Sequence, residues 1–243
     1  MKVQVNTKLA FERHEKKYMI TDEQYDKLLS FLEPETRKDE YGLHTICSVY
    51  YDTEDYAFIR HSLDKPVFKE KLRLRSYGVP RMDSTVYMEL KKKLAGVTYK
   101  HRIPMTLREA EAYLQSGIQP QGLEPVVALG EFDWFLNRYH PIAKILLCYD
   151  RIAFLGKENS DLRITFDTDI RWRNYNLSLS EGDQGCPLLD SGKLLMEIKT
   201  QGALPLWLAH RLSELAVYPI SFSKYGTVYQ EQLEFKGGIQ YAG

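Results

Sequence analysis

Four cations stand at alternate positions in the stretch Lys69-Glu70-Lys71-Leu72-Arg73-Leu74-Arg75. Read as a strand, it puts Lys69, Lys71, Arg73 and Arg75 on one face and Glu70, Leu72 and Leu74 on the other, because strand side chains alternate with a period of two. Like charges aligned in this way repel, and burying them unpaired carries a large desolvation cost. Such a face is tolerable against a polyanion, or against water and counterions. For one strand alone the simpler reading is a charged edge that resists aggregation. The pattern recurs, however. Tyr87, Glu89, Lys91 and Lys93 share a face in residues 84–93, Lys100 and Arg102 share one in 97–105, and Arg13, Glu15 and Lys17 share one in 11–20. In 161–173, Arg163, Thr165, Asp167, Asp169, Arg171 and Arg173 oppose Leu162, Ile164, Phe166, Ile170 and Trp172. In 193–200, Leu195, Glu197 and Lys199 oppose Leu194, Met196 and Ile198.

An ordinary β-barrel points its apolar face inward. Here the economical arrangement is inverted, with amphipathic helices on an outer apolar face and the charged faces lining a water-filled interior. That interior would focus positive potential on one elongated anion, and the forked donors of arginine suit phosphate oxygens. Glu15, Glu89 and Glu197 sit among the cations. In a phosphate channel such carboxylates have a use if they hold Mg²⁺ or Mn²⁺, which bridges to phosphate oxygens. The alternative for each is an internal salt bridge to its neighbours. Asp167 and Asp169 offer a second metal position, but pairing with Arg171 or Arg173 is the simpler expectation. The six histidines are scattered singly and have no catalytic company. The tyrosines, abundant at 17, read mainly as strand formers and helix-packing residues.

The elements that must position these residues follow from periodicity and punctuation. A strand over 11–20 leads into Thr21-Asp22-Glu23-Gln24, a capping box, and into a helix with Tyr25, Leu28, Leu29 and Leu32 on its buried side, ending before Pro34. A strand over 43–52 and a short helix over 55–63 precede the cationic strand, which ends near Tyr77-Gly78. Residues 84–93 and 97–105 make a hairpin around Ala95-Gly96. Helices over 107–114 and 130–139, joined by the Gly/Gln/Pro-rich segment 117–125, read as covers for the sheet. Residues 143–155 form a long apolar strand, 161–173 another, 174–192 a loop, 193–200 a last strand, and a helix begins at Pro205 and runs to about Val217. No internal repeat or linker marks a second domain, so the expectation is one domain over residues 1–243, of class α+β.

Composition supports a globular protein: 44% hydrophobic residues can supply a sizeable core. Balanced charge, 33 basic against 33 acidic, disfavours general coating of nucleic acid, so any anion site must come from local sorting. Three cysteines without metal-type spacing suggest reduced thiols and a cytoplasmic setting. Neither an apolar signal-peptide core nor a membrane-spanning run is apparent. Oligomeric state is not legible.

An ordered set of motifs resembles the VTC (vacuolar transporter chaperone) domain. It comprises Arg13-x-Glu15-x-Lys17-Tyr18, Leu72-Arg73-Leu74-Arg75, Glu89-Leu90-Lys91, Tyr99-Lys100-x-Arg102, Tyr149-Asp150-Arg151, Asp161-Leu162-Arg163-Ile164-Thr165-Phe166-Asp167, Met196-Glu197-Ile198-Lys199 and Ser223-Lys224-Tyr225. The VTC domain is one of the triphosphate tunnel metalloenzymes, related to CYTH proteins. The compact form here resembles the free-standing bacterial type, without the SPX domain and membrane helices of eukaryotic members. The resemblance implies an eight-stranded antiparallel tunnel, closed as a barrel, with helices outside. It also implies transfer of the terminal phosphoryl of ATP to polyphosphate with Mn²⁺ or Mg²⁺. By position, Arg73, Arg75, Lys91, Lys100, Arg102, Arg151, Arg163, Lys199, Ser223 and Lys224 would bind phosphates, with Arg73, Arg75, Lys100, Arg163, Lys199 and Lys224 closest to the chemistry. Lys17 and Lys71 join them from the face argument, and Glu197, with Glu15 and Glu89 beside it, would hold the metal. Water as acceptor would make the same tunnel a triphosphatase acting on triphosphate or nucleotides, and loss of turnover would leave a polyphosphate-binding protein.

Overall fold

The computed structural model describes residues 13–95, 97–122 and 127–234. Phe11, in the first expected strand, Gly96, in the expected hairpin turn, and 123–125 of the expected connecting segment lie outside the described residues. The chain opens with β1 (Arg13–Thr21), α1 (Asp22–Glu35), β2 (Thr36–Lys38) and β3 (His44–Asp52). There follow α2 (Ala57–Leu63), β4 (Phe68–Tyr77), β5 (Thr85–Leu94), β6 (Val97–Thr106), α3 (Leu107–Ser116) and α4 (Val127–Tyr139). The second half contains β7 (Ile142–Gly156), β8 (Arg163–Arg173), β9 (Cys186–Pro187), β10 (Lys193–Gln201), α5 (Leu206–Glu214) and α6 (Lys224–Thr227), the last continuing as a π-helical turn over Val228–Glu234.

Eight strands pair in the order β1-β10-β8-β7-β3-β4-β5-β6, with short β2 on β7 and β9 on β8. Every register given for these pairs is antiparallel. The expected number of long strands is therefore present, but the sheet is not closed: among the described residues β1 and β6 end the order without pairing to each other. Closure depends on a pairing between the most distant strands, which alternation within each strand does not encode.

The described residues form two compact units. The first comprises 1–42, 152–167 and 192–221, so far as described, and the second 43–151, 168–191 and 222–243. In the first, Tyr18, Ile20, Ile164, Phe166, Leu194, Met196 and Ile198 form an apolar strand face covered by Leu28 and Leu32 of α1 and by Leu208 and Leu212 of α5. Thr21 caps α1 through the expected reciprocal box with Gln24. The helix runs past the expected stop and takes Pro34 into its last turn, and Thr36 then closes it with its backbone N–H on the Leu32 carbonyl. In the second unit, Val49, Leu72, Leu74, Val86, Met88, Leu90, Ile103 and Leu146 pack under Leu107, Ala110 and Tyr113 of α3 and Phe132 and Phe135 of α4. α3 carries a capping box of its own, Thr106 with Glu109. Each unit thus buries one strand face under helices and leaves the alternate side chains to the opposite face, as the inside-out pattern requires.

β8 departs from strict alternation. Asp169 adopts a left-handed backbone (φ 45°), a conformation that aspartate tolerates better than most residues. Arg171 and Arg173 accordingly leave the row begun by Arg163 and Thr165 and tie down the loop that follows. Arg171 bonds Asp169 and Asp183, and Arg173 donates to the carbonyls of Asn176, Glu181, Gly182 and Gln184. The expected pairing of Asp169 with Arg171 is present at 2.9 Å.

Candidate functional site

In the second unit, register converts alternation into rows. Across β3, β4, β5 and β6 one row reads Tyr50, Arg73, Glu89, Arg102; the next, across β4, β5 and β6, reads Lys71, Lys91, Lys100. On the other side of the first row stand Ser48, Arg75 and Tyr87. Glu89, 1% exposed, is the anchor. Its Oε2 accepts from Arg73 Nε at 2.6 Å. Its Oε1 accepts from Arg102 Nε at 2.6 Å and from Lys100 Nζ at 2.7 Å. Arg75 Nε lies 3.9 Å away. Four cations therefore share one carboxylate and leave a surplus of three positive charges. Burial alone would raise the Glu89 pKa, but Arg73, Arg75 and Lys100 outweigh it and hold the carboxyl well below its ordinary range. Burial pushes Lys100 down to about 8 despite Glu89.

Tyrosines complete this face; the sequence places Tyr87 on it beside Glu89, while Tyr50, Tyr77 and Tyr149 were missed. Tyr50 hydroxyl accepts from Arg73 Nη1 at 3.2 Å, Tyr149 hydroxyl from Arg75 Nη2 at 3.3 Å, and Tyr77 hydroxyl from Arg102 Nη2 at 3.2 Å. Ser48 accepts from Arg75 Nε at 3.1 Å. Arg102 also lies over the Tyr87 ring at 4.5 Å, and Lys224 and Arg151 sit 4.5 and 5.1 Å from the Tyr149 ring centre. Burial would raise the Tyr50 phenol; Arg73, Arg75 and Lys71 instead bring it down to about 8. The available signal was parity, since Tyr87 falls on the face of Glu89 in the sequence itself.

Ser223 and Lys224 reach this unit through α6. Ser223 caps the helix and accepts from Lys71 Nζ at 3.2 Å. The next residue, Tyr225, donates at 3.0 Å to the buried carboxylate of Asp52, which also accepts the backbone N–H groups of Thr53, Phe58 and Ile59. Asp52 therefore fixes the start of α2 and the segment bearing Ser223 and Lys224 at once.

The charged face of the first unit is built differently. Register gives the row Lys17, Glu197, Thr165 beside the row Glu15, Lys199, Arg163. Glu15 and Glu197 each lie 3.6–3.8 Å from both Lys17 and Lys199, beyond a good charge-assisted hydrogen bond. Arg163 Nη2 bonds Asp39 at 3.4 Å. Thr165 Oγ1, next to Glu197 in register, is buried without a hydrogen-bond partner among the described residues.

No set of three or more His, Cys, Asp or Glu side chains stands ready for a metal among the described residues. Two carboxylates and an unsatisfied hydroxyl oxygen are nevertheless a hard-oxygen donor set that fits Mg²⁺ or Mn²⁺ when phosphate and water supply the remaining ligands. Glu89 offers no such opening, because both its oxygens already accept from cationic donors. Among the expected residues, then, Arg73, Arg75, Lys71, Lys91, Lys100, Arg102, Arg151, Ser223, Lys224 and Glu89 fall in the second unit, and Glu15, Lys17, Arg163, Glu197 and Lys199 in the first.

The VTC domain profile matches residues 12–232. No curated protein matches the chain. Among solved structures, a candidate adenylate cyclase from Bacillus halodurans is similar in fold, with 14% identity, TM-score 0.52, and 90% of this chain and 94% of that one covered. A Pyrococcus horikoshii protein aligns with 14% identity over 91% and 98% of the two chains at TM-score 0.47. A candidate adenylyl cyclase of Hippeastrum, described as having a dominant triphosphatase activity, aligns with 14% identity over 89% and 94% at TM-score 0.47. No helix among the described residues is long and apolar enough to cross a membrane.

Proposed function

This chain belongs to the VTC domain family, and from that premise we propose that it is a polyphosphate polymerase that moves the terminal phosphoryl group of ATP onto a growing polyphosphate chain. The observation that carries the reading is the cation surplus around Glu89, where Arg73, Arg75, Lys100 and Arg102 are held in place by a single buried carboxylate. A fixed array of this kind suits an anion with charge repeated along a line. It is already held in place by its contacts to Glu89, so little reorganisation is needed when the anion arrives.

Phosphoryl transfer passes through a loose transition state and asks the protein mainly for positioning and charge neutralisation. No protein nucleophile is required, because the acceptor is the terminal phosphate of the polymer. We assign Arg73, Arg75, Lys100, Arg163, Lys199 and Lys224 to the reacting phosphoryl groups, and Lys17, Lys71, Lys91, Arg102, Arg151 and Ser223 to the rest of the chain. Glu197 and Glu15, with Thr165, would hold Mn²⁺ or Mg²⁺; such an ion neutralises and orients phosphate oxygens. Glu89 takes the complementary part of spacing the arginines.

The test is to incubate purified protein with ATP and Mn²⁺ and size the products on a polyphosphate-stained gel. The proposal expects ADP together with a ladder of long polymer, both lost in Glu197→Gln. Orthophosphate without polymer would make the protein a triphosphatase, and polyphosphate binding without turnover would make it a binder.

A further inference from the structure

Cys47 and Cys148 lie far apart in sequence, yet the register of β3 on β7 sets them directly opposite one another. Opposed residues of an antiparallel pair have Cα atoms about 4.5–5.5 Å apart, inside the span of about 4.4–6.8 Å that a disulfide bridges. Both side chains are buried, at 0% and 1% exposure, and both belong to the apolar cluster beneath α3 and α4. They therefore point to the same side of the sheet. Ser76 stands opposite Cys47 on β4. The Cys148 S–H holds the Cys47 thiol below its ordinary pKa, while Cys148 is pushed up by the same contact and by burial. The proposed chemistry uses neither sulfur. The third cysteine, Cys186, is exposed on β9 and stands outside the pair.

We propose that Cys47 and Cys148 are a reversible disulfide site, closed by a peroxide and reopened by a small thiol. The Cys47 thiolate attacks one peroxide oxygen and the O–O bond breaks; with hydrogen peroxide the products are the Cys47 sulfenic acid and, after protonation, water. The Cys148 sulfur then displaces the sulfenic oxygen, which leaves with a proton as a second water. Two thiols are oxidised, one peroxide is reduced, and one S–S bond forms. The bond would lock β3 to β7 between Ser48 and Tyr149, the two residues whose hydroxyls accept from Arg75.

The experiment uses Cys186→Ser protein, which removes the exposed thiol. The folded protein is treated with hydrogen peroxide, unfolded in an alkylating agent and mapped by mass spectrometry. The expected result is a Cys47–Cys148 cross-linked peptide lacking two hydrogens, with no alkylation at either site, and full return of both thiols after reduction. Closing so long a loop should also raise Tm by more than about 5 °C, a gain absent from the further variant Cys148→Ser. Complete alkylation of both cysteines after peroxide treatment would overturn the proposal. So would oxidation of Cys47 to sulfinic acid without any cross-link. Mapping reads the bond itself, so its outcome is independent of whether the protein makes polyphosphate.

Discussion

In the first unit two glutamates and two lysines alternate, every carboxylate lying 3.6–3.8 Å from both ammonium groups. In the second unit one glutamate draws four cations, three of them with a donor at 2.6–2.7 Å from its oxygens. The first arrangement is balanced in charge, loosely held and a quarter to a third exposed at Glu15, Lys17 and Lys199. The second is positive, tight and closed to water at Glu89. The two acids are the same residue type with opposite prospects. The contacts of Glu197 and Glu15 to Lys17 and Lys199 are long, at 3.6–3.8 Å, whereas Glu89 would have to surrender three short cationic contacts to take an ion. A glutamate among basic residues therefore does not mark a metal site by its identity; the ratio of cations to carboxylates and their distances decide.

The widest separation between the two regions is expected in stability. Glu89→Ala leaves four partly buried cations uncompensated and should cost about 3–5 kcal/mol, whereas Glu15→Ala should cost about 0–1 kcal/mol; chemical denaturation of both variants measures the gap. Equal costs would erase the contrast. Binding of inorganic polyphosphate should come next. Arg73→Ala removes a charge-assisted contact and should weaken affinity by about 1.5–3 kcal/mol, roughly ten- to 150-fold. Arg171→Ala should leave affinity near wild type, because its donors serve Asp169 and Asp183.

The smallest effect is a pH dependence confined to the second unit. Lys100, depressed by burial, and Tyr50, depressed by Arg73, Arg75 and Lys71, both titrate at about 8. Raising the pH through that value removes a positive charge at Lys100 and adds a negative one at Tyr50, so polyphosphate affinity should fall between about pH 7 and about pH 9. Lys100→Arg with Tyr50→Phe should flatten the profile. An unchanged slope in that double variant would place the titration elsewhere.

Much of this was legible in the sequence because it is local. Alternation located the cationic face of β4, the capping box at Thr21 survived intact, and Leu72 and Leu74 are buried where period two puts them. What escaped is set by pairing between distant strands. The partners of Glu89 could be counted only once register had set Arg73 and Arg102 on either side of it. Tyr50 and Tyr149 look like ordinary strand formers until β3 and β7 bring them to the arginines of β4. The left-handed turn at Asp169 diverts Arg171 and Arg173 from a row that strict alternation would have extended. Among the described residues, the unpaired ends of the sheet at β1 and β6 are likewise a property of pairing and of no single strand.

The separate roles proposed for Arg73 and Glu197 are tested most directly by calorimetric titration of inorganic tripolyphosphate into wild type, Arg73→Ala and Glu197→Gln, each with and without Mn²⁺. The account predicts that Arg73→Ala weakens binding in both conditions. Glu197→Gln should bind like wild type without metal and lose only the increment that Mn²⁺ adds. If Glu197→Gln weakened metal-free binding as much as Arg73→Ala, or kept the full Mn²⁺ increment, the assignment of Arg73 to the anion and of Glu197 to the metal would be wrong.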